Sequence, residues 1–240
     1  MATASGPGTY SLTAAMQIVN GNAKTHKAMK QIRYYMLMGI VFLTYNNSLA
    51  QQSELSKYRY QFSSGFNGWT KTFANFNFSS FYKESFSAFE HIEYMEMEEI
   101  KDFYSIYKPA LTFSPDKNQF IDIYSYWLNL DKKGKTIISH GGEPDQAITL
   151  CNFTTKKWTR ILFRGTTERI QEVIWLTNST FMLVGVREDE NMLNKARPAI
   201  YLGDTIAETF ICFLSKDQKL FQKNGGYDSP KILKLKIQEN

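Results

Sequence analysis

The chain has 240 residues, 43% apolar and 21% charged, a balance that supports one or two packed domains and excludes wholesale disorder. A formal charge of +5 and a pI near 9.0 invite a nucleic-acid reading, but Lys24, Lys27, Lys30 and Arg33 stand in residues 1–50, which hold no acid. Setting those four aside leaves 24 bases against 23 acids, so the basicity belongs to the leader and no nucleic-acid partner is expected.

In chain order, residues 1–28 are rich in Ala, Thr, Gly, Ser and Asn without periodicity and read as an upstream extension ahead of a natural start at Met29. An organelle transit peptide is the rival reading, although it would carry more arginine. Residues 29–50 have the three parts of a secretory signal peptide. Lys30 and Arg33 open it, an uncharged, mostly apolar run covers 34–45, and Ser48 and Ala50 place small residues before a cut at Gln51. The apolar run is too short to anchor the chain, since crossing a hydrocarbon core takes about 20 residues. A buried core helix is the competing interpretation. The expected product is periplasmic or secreted, with no membrane span in the mature protein.

Residues 51–108 form an aromatic-rich N-terminal region. The rings of Phe62, Phe66, Trp69, Phe73, Phe76 and Phe78, among others, are spaced by Ser, Asn, Gly and Lys. They present either a sugar-stacking surface or irregular chain pinned to a core, each ring burying about 150–250 Å². The second reading is preferred. Residues 90–107 read as a helix, because Ile100, Phe103, Tyr104 and Tyr107 recur at helical spacing before Pro109. Glu90, Glu93, Glu96, Glu98, Glu99 and Asp102 give it a solvated acidic face. They lack the loop spacing of an EF-hand.

Residues 109–216 turn to strands. Apolar stretches at 111–114, 119–130, 135–139, 147–153 and 157–163 are divided by turn signals and by the polar loop 140–145. A second copy of the pattern follows at 173–176, 181–186, 199–202 and 209–214. In it, Val173 and Trp175 face the core while Ile174 and Leu176 face away. The expected fold is mainly β: two four-stranded antiparallel meanders, blade-like, forming a sandwich or a curled sheet with the helix laid on it. Residues 217–240 are a C-terminal segment with room for a final strand.

The stretches at 111–116, 120–126, 141–146 and 172–176 resemble those of uncharacterised exported β-rich proteins of Bacteroidota-type bacteria, over about residues 107–203. The resemblance implies export and β architecture, and it brings no activity. A looser likeness, in size and architecture, is to periplasmic lysozyme inhibitors.

No nucleophile elbow, phosphate loop, dinucleotide fingerprint or zinc-binding helix motif occurs in the sequence. Beyond the leader the histidines are His91 and His140. The candidate ligand-binding residues are Asp122, His140, Glu143 and Asp145, with Ser139 beside them. Together they offer oxygen ligands for calcium, or an acid/base group with His140 oriented by a carboxylate. Gly141-Gly142 would let the backbone approach a ligand or take positive φ. The plainer alternative is a tight loop in which Asp145 caps amides. Cys151 and Cys212 form one disulfide or remain two buried thiols. The expected function is a non-catalytic binding module for an envelope glycan or protein. The alternatives are an envelope hydrolase working through carboxylates and a lysozyme-inhibitor-like protein.

Overall fold

The computed structural model describes residues 54–189, 192–217, 220–223 and 226–239, all within the unit Gln51–Asn240. The extension 1–28 and the signal peptide 29–50 lie outside the described residues. What is described is mainly β, with antiparallel sheets that do not close into a barrel.

One sheet has the order β1-β12-β11-β10-β9, from β1 (Phe81–Ala88), β9 (Glu168–Trp175), β10 (Thr180–Asp189), β11 (Met192–Asp204) and β12 (Thr209–Ser215). A second has the order β2-β8-β7-β4-β3, from β2 (Ile92–Glu93), β3 (Thr112–Phe113), β4 (Gln119–Asp122), β7 (Gln146–Asn152) and β8 (Lys157–Arg164). Between β4 and β7 the chain makes the hairpin β5 (Leu130–Lys133) and β6 (Thr136–Ser139), and β13 (Gln238–Glu239) joins β6 in parallel. The expected four-stranded sheets are thus five-stranded. The region 51–108 supplies the extra strands, β1 and β2, because it is stitched into both edges.

Strand alternation explains the two cores. Phe210, Cys212 and Leu214 of β12 face the cluster shared with the second sheet, while Ile211 and Phe213 face the N-terminal aromatic segment. In β10, Phe181 and Leu183 oppose Met182 and Val184 in the same way. At β10 and β12 the first sheet is therefore buried on both faces, which is why Phe181–Val184 and Phe210–Leu214 read as unbroken apolar runs. On its far side α1 (Arg59–Ser64) and α2 (Asn67–Thr70) pack Phe62, Phe66, Trp69 and Phe73 onto it. Trp69 is wholly buried, stands 4.8 Å from Phe73, and donates from Nε1 to Gln171 Oε1 at 2.9 Å. These rings build a core.

The second sheet is covered by α3 (Ile100–Tyr107), whose Phe103 meets Trp158 at 4.6 Å. The helix expected over 90–107 is shorter than its acidic run suggested. Glu90 is drawn to β8, accepting from Phe163 N at 2.9 Å and pairing with Arg160 at 2.7 Å, and Ile92–Glu93 form a strand. Helical structure begins only with a 3₁₀ turn at Met97–Glu99. The apolar run 119–130 likewise breaks after Asp122. Its carboxylate accepts from Tyr124 N at 2.8 Å and Ser125 N at 3.2 Å, offering the backbone a turn in place of a ladder.

β9 is an edge strand whose open side is closed by side chains instead of another strand. Gln146 accepts from Ile170 N at 2.7 Å and donates to Ile170 O at 2.9 Å, Tyr124 Oη donates to Gln171 O at 3.3 Å, and Lys231 Nζ to Val173 O at 2.9 Å. Val173 and Ile174 point to opposite cores as expected, but Trp175 is only half-buried, its indole donating to Thr112 O at 2.8 Å. The two cysteines are free thiols, so no disulfide joins them. Cys151 shares a face with Phe120 and Trp158 in the second sheet, and Cys212 lies 3.9 Å from Arg187 in the first. Burial pushes each thiol up to about 12 and keeps it neutral.

Candidate functional site

The turn that Asp122 initiates is the foundation of the site. It sends Tyr124 inward, and it fixes Trp127 through Nε1 donating to Ile123 O at 3.0 Å and Leu128 N donating to Tyr124 O at 2.9 Å. The polar loop 140–145 lies directly on this turn. A Cβ at Gly142 would stand 1.8 Å from Trp127 O, and Gly141 has φ of +92°, so the glycine pair serves the chain's own close approach. Arg169, from β9, closes the third side. Its guanidinium stacks on the Trp127 ring at 4.6 Å, and Nη2 donates to Pro144 O at 3.1 Å. Gln146 donates to Ile123 O at 2.7 Å and so ties turn and strand together.

The four candidate residues are distributed around this frame. Asp122 is buried at 1% exposure, and burial holds its carboxyl above the usual range despite its hydrogen bonds. His140 Nε2 lies 3.9 Å from Asp131 Oδ2, Glu143 is exposed, and Asp145 acts electrostatically on Arg169. Among the described residues no group of three or more His, Cys, Asp or Glu side chains is placed to hold one metal ion.

Opposite Trp127 runs the chain's C-terminal segment, where Ser229 and Pro230 start α4 (Pro230–Leu233), Ser229 Oγ accepting from Lys231 N at 3.3 Å. Between turn and segment lies a cavity of about 330 Å³, walled by Tyr124, Trp127, Arg169, Tyr227, Ser229 and Ile232. Its polar walls are engaged. Tyr227 Oη and Ser229 Oγ donate to Glu172 Oε2 at 3.1 and 2.8 Å, and Gln171 bonds Trp69 and Gln222. Burial raises the phenols of Tyr124 and Tyr227, so both stay neutral donors. One polar atom stands apart: Arg169 Nη1 is buried and has no hydrogen-bond partner. Sequence reasoning found the loop but missed Trp127, Arg169, Tyr227 and Glu172. The readable signal was Ser229-Pro230, a helix start that fixes where the segment docks.

A second concavity of about 550 Å³ runs between the β7–β8 hairpin and β2, with Glu93, Glu96, Glu98 and Lys156 around a floor that includes Trp158. At its rim His91 Nε2 lies 3.4 Å from Glu208 Oε2. Comparison of the chain with protein-family models, with curated proteins and with solved structures finds no match.

Proposed function

We propose that the chain is a non-catalytic binding module of the periplasm or the extracellular space, related to exported proteins of Bacteroidota-type bacteria. Its expected partner is an envelope glycan or protein, docked in the cleft between Trp127 and the C-terminal segment. The supporting observation is the preorganised wall: an aromatic ring stacked on a guanidinium, held by turn, loop and strand at once. A hydrolase needs two convergent groups that exchange protons near neutral pH. In this cleft Tyr124 and Tyr227 are neutral donors to acceptors within the fold, and Asp228 is exposed at the rim.

A binding screen of the chain against envelope glycans, peptidoglycan and lysozymes tests the proposal. Trp127→Ala should weaken the captured ligand at least about tenfold, or ~1.4 kcal/mol. Binding that ignores Trp127→Ala would remove the cleft from consideration. The hydrolase reading draws on the His91–Glu208 pair in the larger groove. It predicts cleavage of an envelope polymer that Glu208→Gln abolishes. Calcium at Glu143 and Asp145 is tested by melting with and without chelator. The melting temperature should not move; a site filled at 100 times Kd would instead raise stability by about 2.7 kcal/mol and shift the melt clearly.

A further inference from the structure

We infer that the groove between the β7–β8 hairpin and β2 receives an extended, cationic segment of a partner protein, its bases on the glutamates and its apolar side chains on the thioethers. The site is separate from the Trp127 cleft and does not depend on it. It follows from the way residues 90–99 fold. Because Glu90 is drawn onto β8, the acidic run starts outside helical geometry, and Glu96 is still extended at φ −74° and ψ 145°. Glu93, Glu96 and Glu98 are thereby spread along the groove in place of gathering on one helix face. All three are exposed, and they form no ion pair among the described residues. Among the described residues no three acidic or histidine side chains are placed to hold one metal ion, so the cations that suit these carboxylates are ones strung along a chain.

The sheet edge and the floor decide the shape of that chain. β2 ends the second sheet, and Tyr94 N donates to Trp158 O at 3.0 Å, so backbone alternation turns the amide and carbonyl of Glu93 away from β8. An open edge of this kind accepts an extended segment. Met95 and Met97 line the groove, half-buried, beside Leu150, and their thioethers adapt to the aliphatic side chain laid on them. Side chains of an extended segment alternate between two faces, so bases and aliphatic residues at alternate positions meet the glutamates and this floor respectively. Lys156 and Lys157 stand exposed on the hairpin side and repel bases there, which places the cationic stretch along Glu93, Glu96 and Glu98. A segment rich in acids would meet like charge on those three and on Glu208.

Fluorescence anisotropy of the chain with three labelled peptides tests this. The probes are acetyl-Lys-Val-Lys-Val-Lys-Val-Lys-amide, its shuffled isomer acetyl-Lys-Lys-Val-Val-Lys-Val-Lys-amide, and the reversed-charge peptide in which Glu replaces each Lys of the first. The alternating cationic peptide should bind at least about tenfold more tightly than either control. Combining Glu93→Gln, Glu96→Gln and Glu98→Gln should erase that preference, and because the three are exposed and unpaired the melting transition should stay in place. Should the triple variant fail to fold, Glu98→Lys alone should weaken the alternating peptide. Trp127→Ala should leave its binding unchanged. Equal binding of the shuffled isomer is attraction to surface charge alone and overturns the inference. So does binding that survives the glutamate changes, or that Trp127→Ala removes, which would put the peptide in the cleft. Absence of binding also overturns it, as does cleavage of an envelope polymer abolished by Glu208→Gln, which would give the groove to the hydrolase reading.

Discussion

Strand β9 carries two buried glutamates four positions apart, and their surroundings could hardly differ more. Glu168, at 8% exposure, is neutralised from within its neighbourhood: Arg164 Nε lies 3.1 Å away at the end of β8, Arg187 Nε lies 3.4 Å away on β10, and Tyr201 Oη donates to it. Arg187 reaches on to Glu84 of β1 at 2.7 Å, so charge is shared along the sheet. Glu172, at 4% exposure, is neutralised by the far end of the chain, through Lys231 Nζ, Tyr227 Oη and Ser229 Oγ. One carboxylate therefore belongs to the sheet, while the other is the peg on which the C-terminal segment hangs. Lys231 strengthens that peg by donating also to Thr112 Oγ1 at 2.7 Å and Val173 O at 2.9 Å. The contrast separates what holds the β framework from what closes the cleft.

The largest effect should come from Glu168→Ala, which strands two guanidiniums against a buried phenol. Removing one partner of a buried ion pair costs ~3–5 kcal/mol, and the partial exposure of Arg164 and Arg187 places this case near the lower end, about 3 kcal/mol. Urea denaturation measures it. A loss under about 1 kcal/mol would mean that water already compensates the cluster, and the contrast with Glu172 would disappear. Lys231→Met should cost less, about 2 kcal/mol, because Tyr227, Ser229 and the Val173 amide still donate to Glu172. Its signature is local. Amide exchange should accelerate through 226–239 while β10 to β12 stay protected. Exchange that rises uniformly would show that the segment is part of the global core and is no separate closure.

The β framework was legible because apolar runs divided by turn signals mark its strands, and the period-2 alternation of side chains along such a run assigns neighbours to opposite cores, as Val173 and Ile174 show. The extra edge strands were not, since β1 is mostly exposed and lacks that alternation, and β2 is two residues long. The acidic run before α3 misled for a physical reason: Glu90 spends its carboxylate on β8, a contact with residues 70 or more positions away. At the site the loop 140–145 was identified from its composition. Its partners were invisible because Arg169 and Trp127 meet only when the turn and β9 pack together. Gly142 carries the clearest retrospective signal, a glycine required by the Trp127 carbonyl.

Asp122 offers the smallest effect and the sharpest control on the comparison, because it is a third buried acid with no cation within ion-pair distance among the described residues. Its carboxylate is satisfied by Tyr124 N, Ser125 N and Ser125 Oγ alone. Desolvation wins over those hydrogen bonds and raises its pKa above the ordinary 3.8. The folded state then binds more protons than the unfolded chain from about pH 4 upward to the folded pKa, so this group's contribution is full below that window and is lost as pH rises through it. Asp122→Asn keeps an amide oxygen for the two backbone donors and offers its amino group to a Ser125 hydroxyl that can turn to accept. The variant should therefore lie within about 1 kcal/mol of wild type at pH 7, the allowance for one exchanged hydrogen bond, and should lack Asp122's part of the decline above pH 4. Urea titrations of both proteins between pH 4 and pH 7 decide the matter. A variant destabilised by about 3 kcal/mol at pH 7, with the wild-type pH slope intact, would show that the ionised carboxylate is required and that a hydrogen-bonded turn can hold a buried charge as well as an arginine pair does.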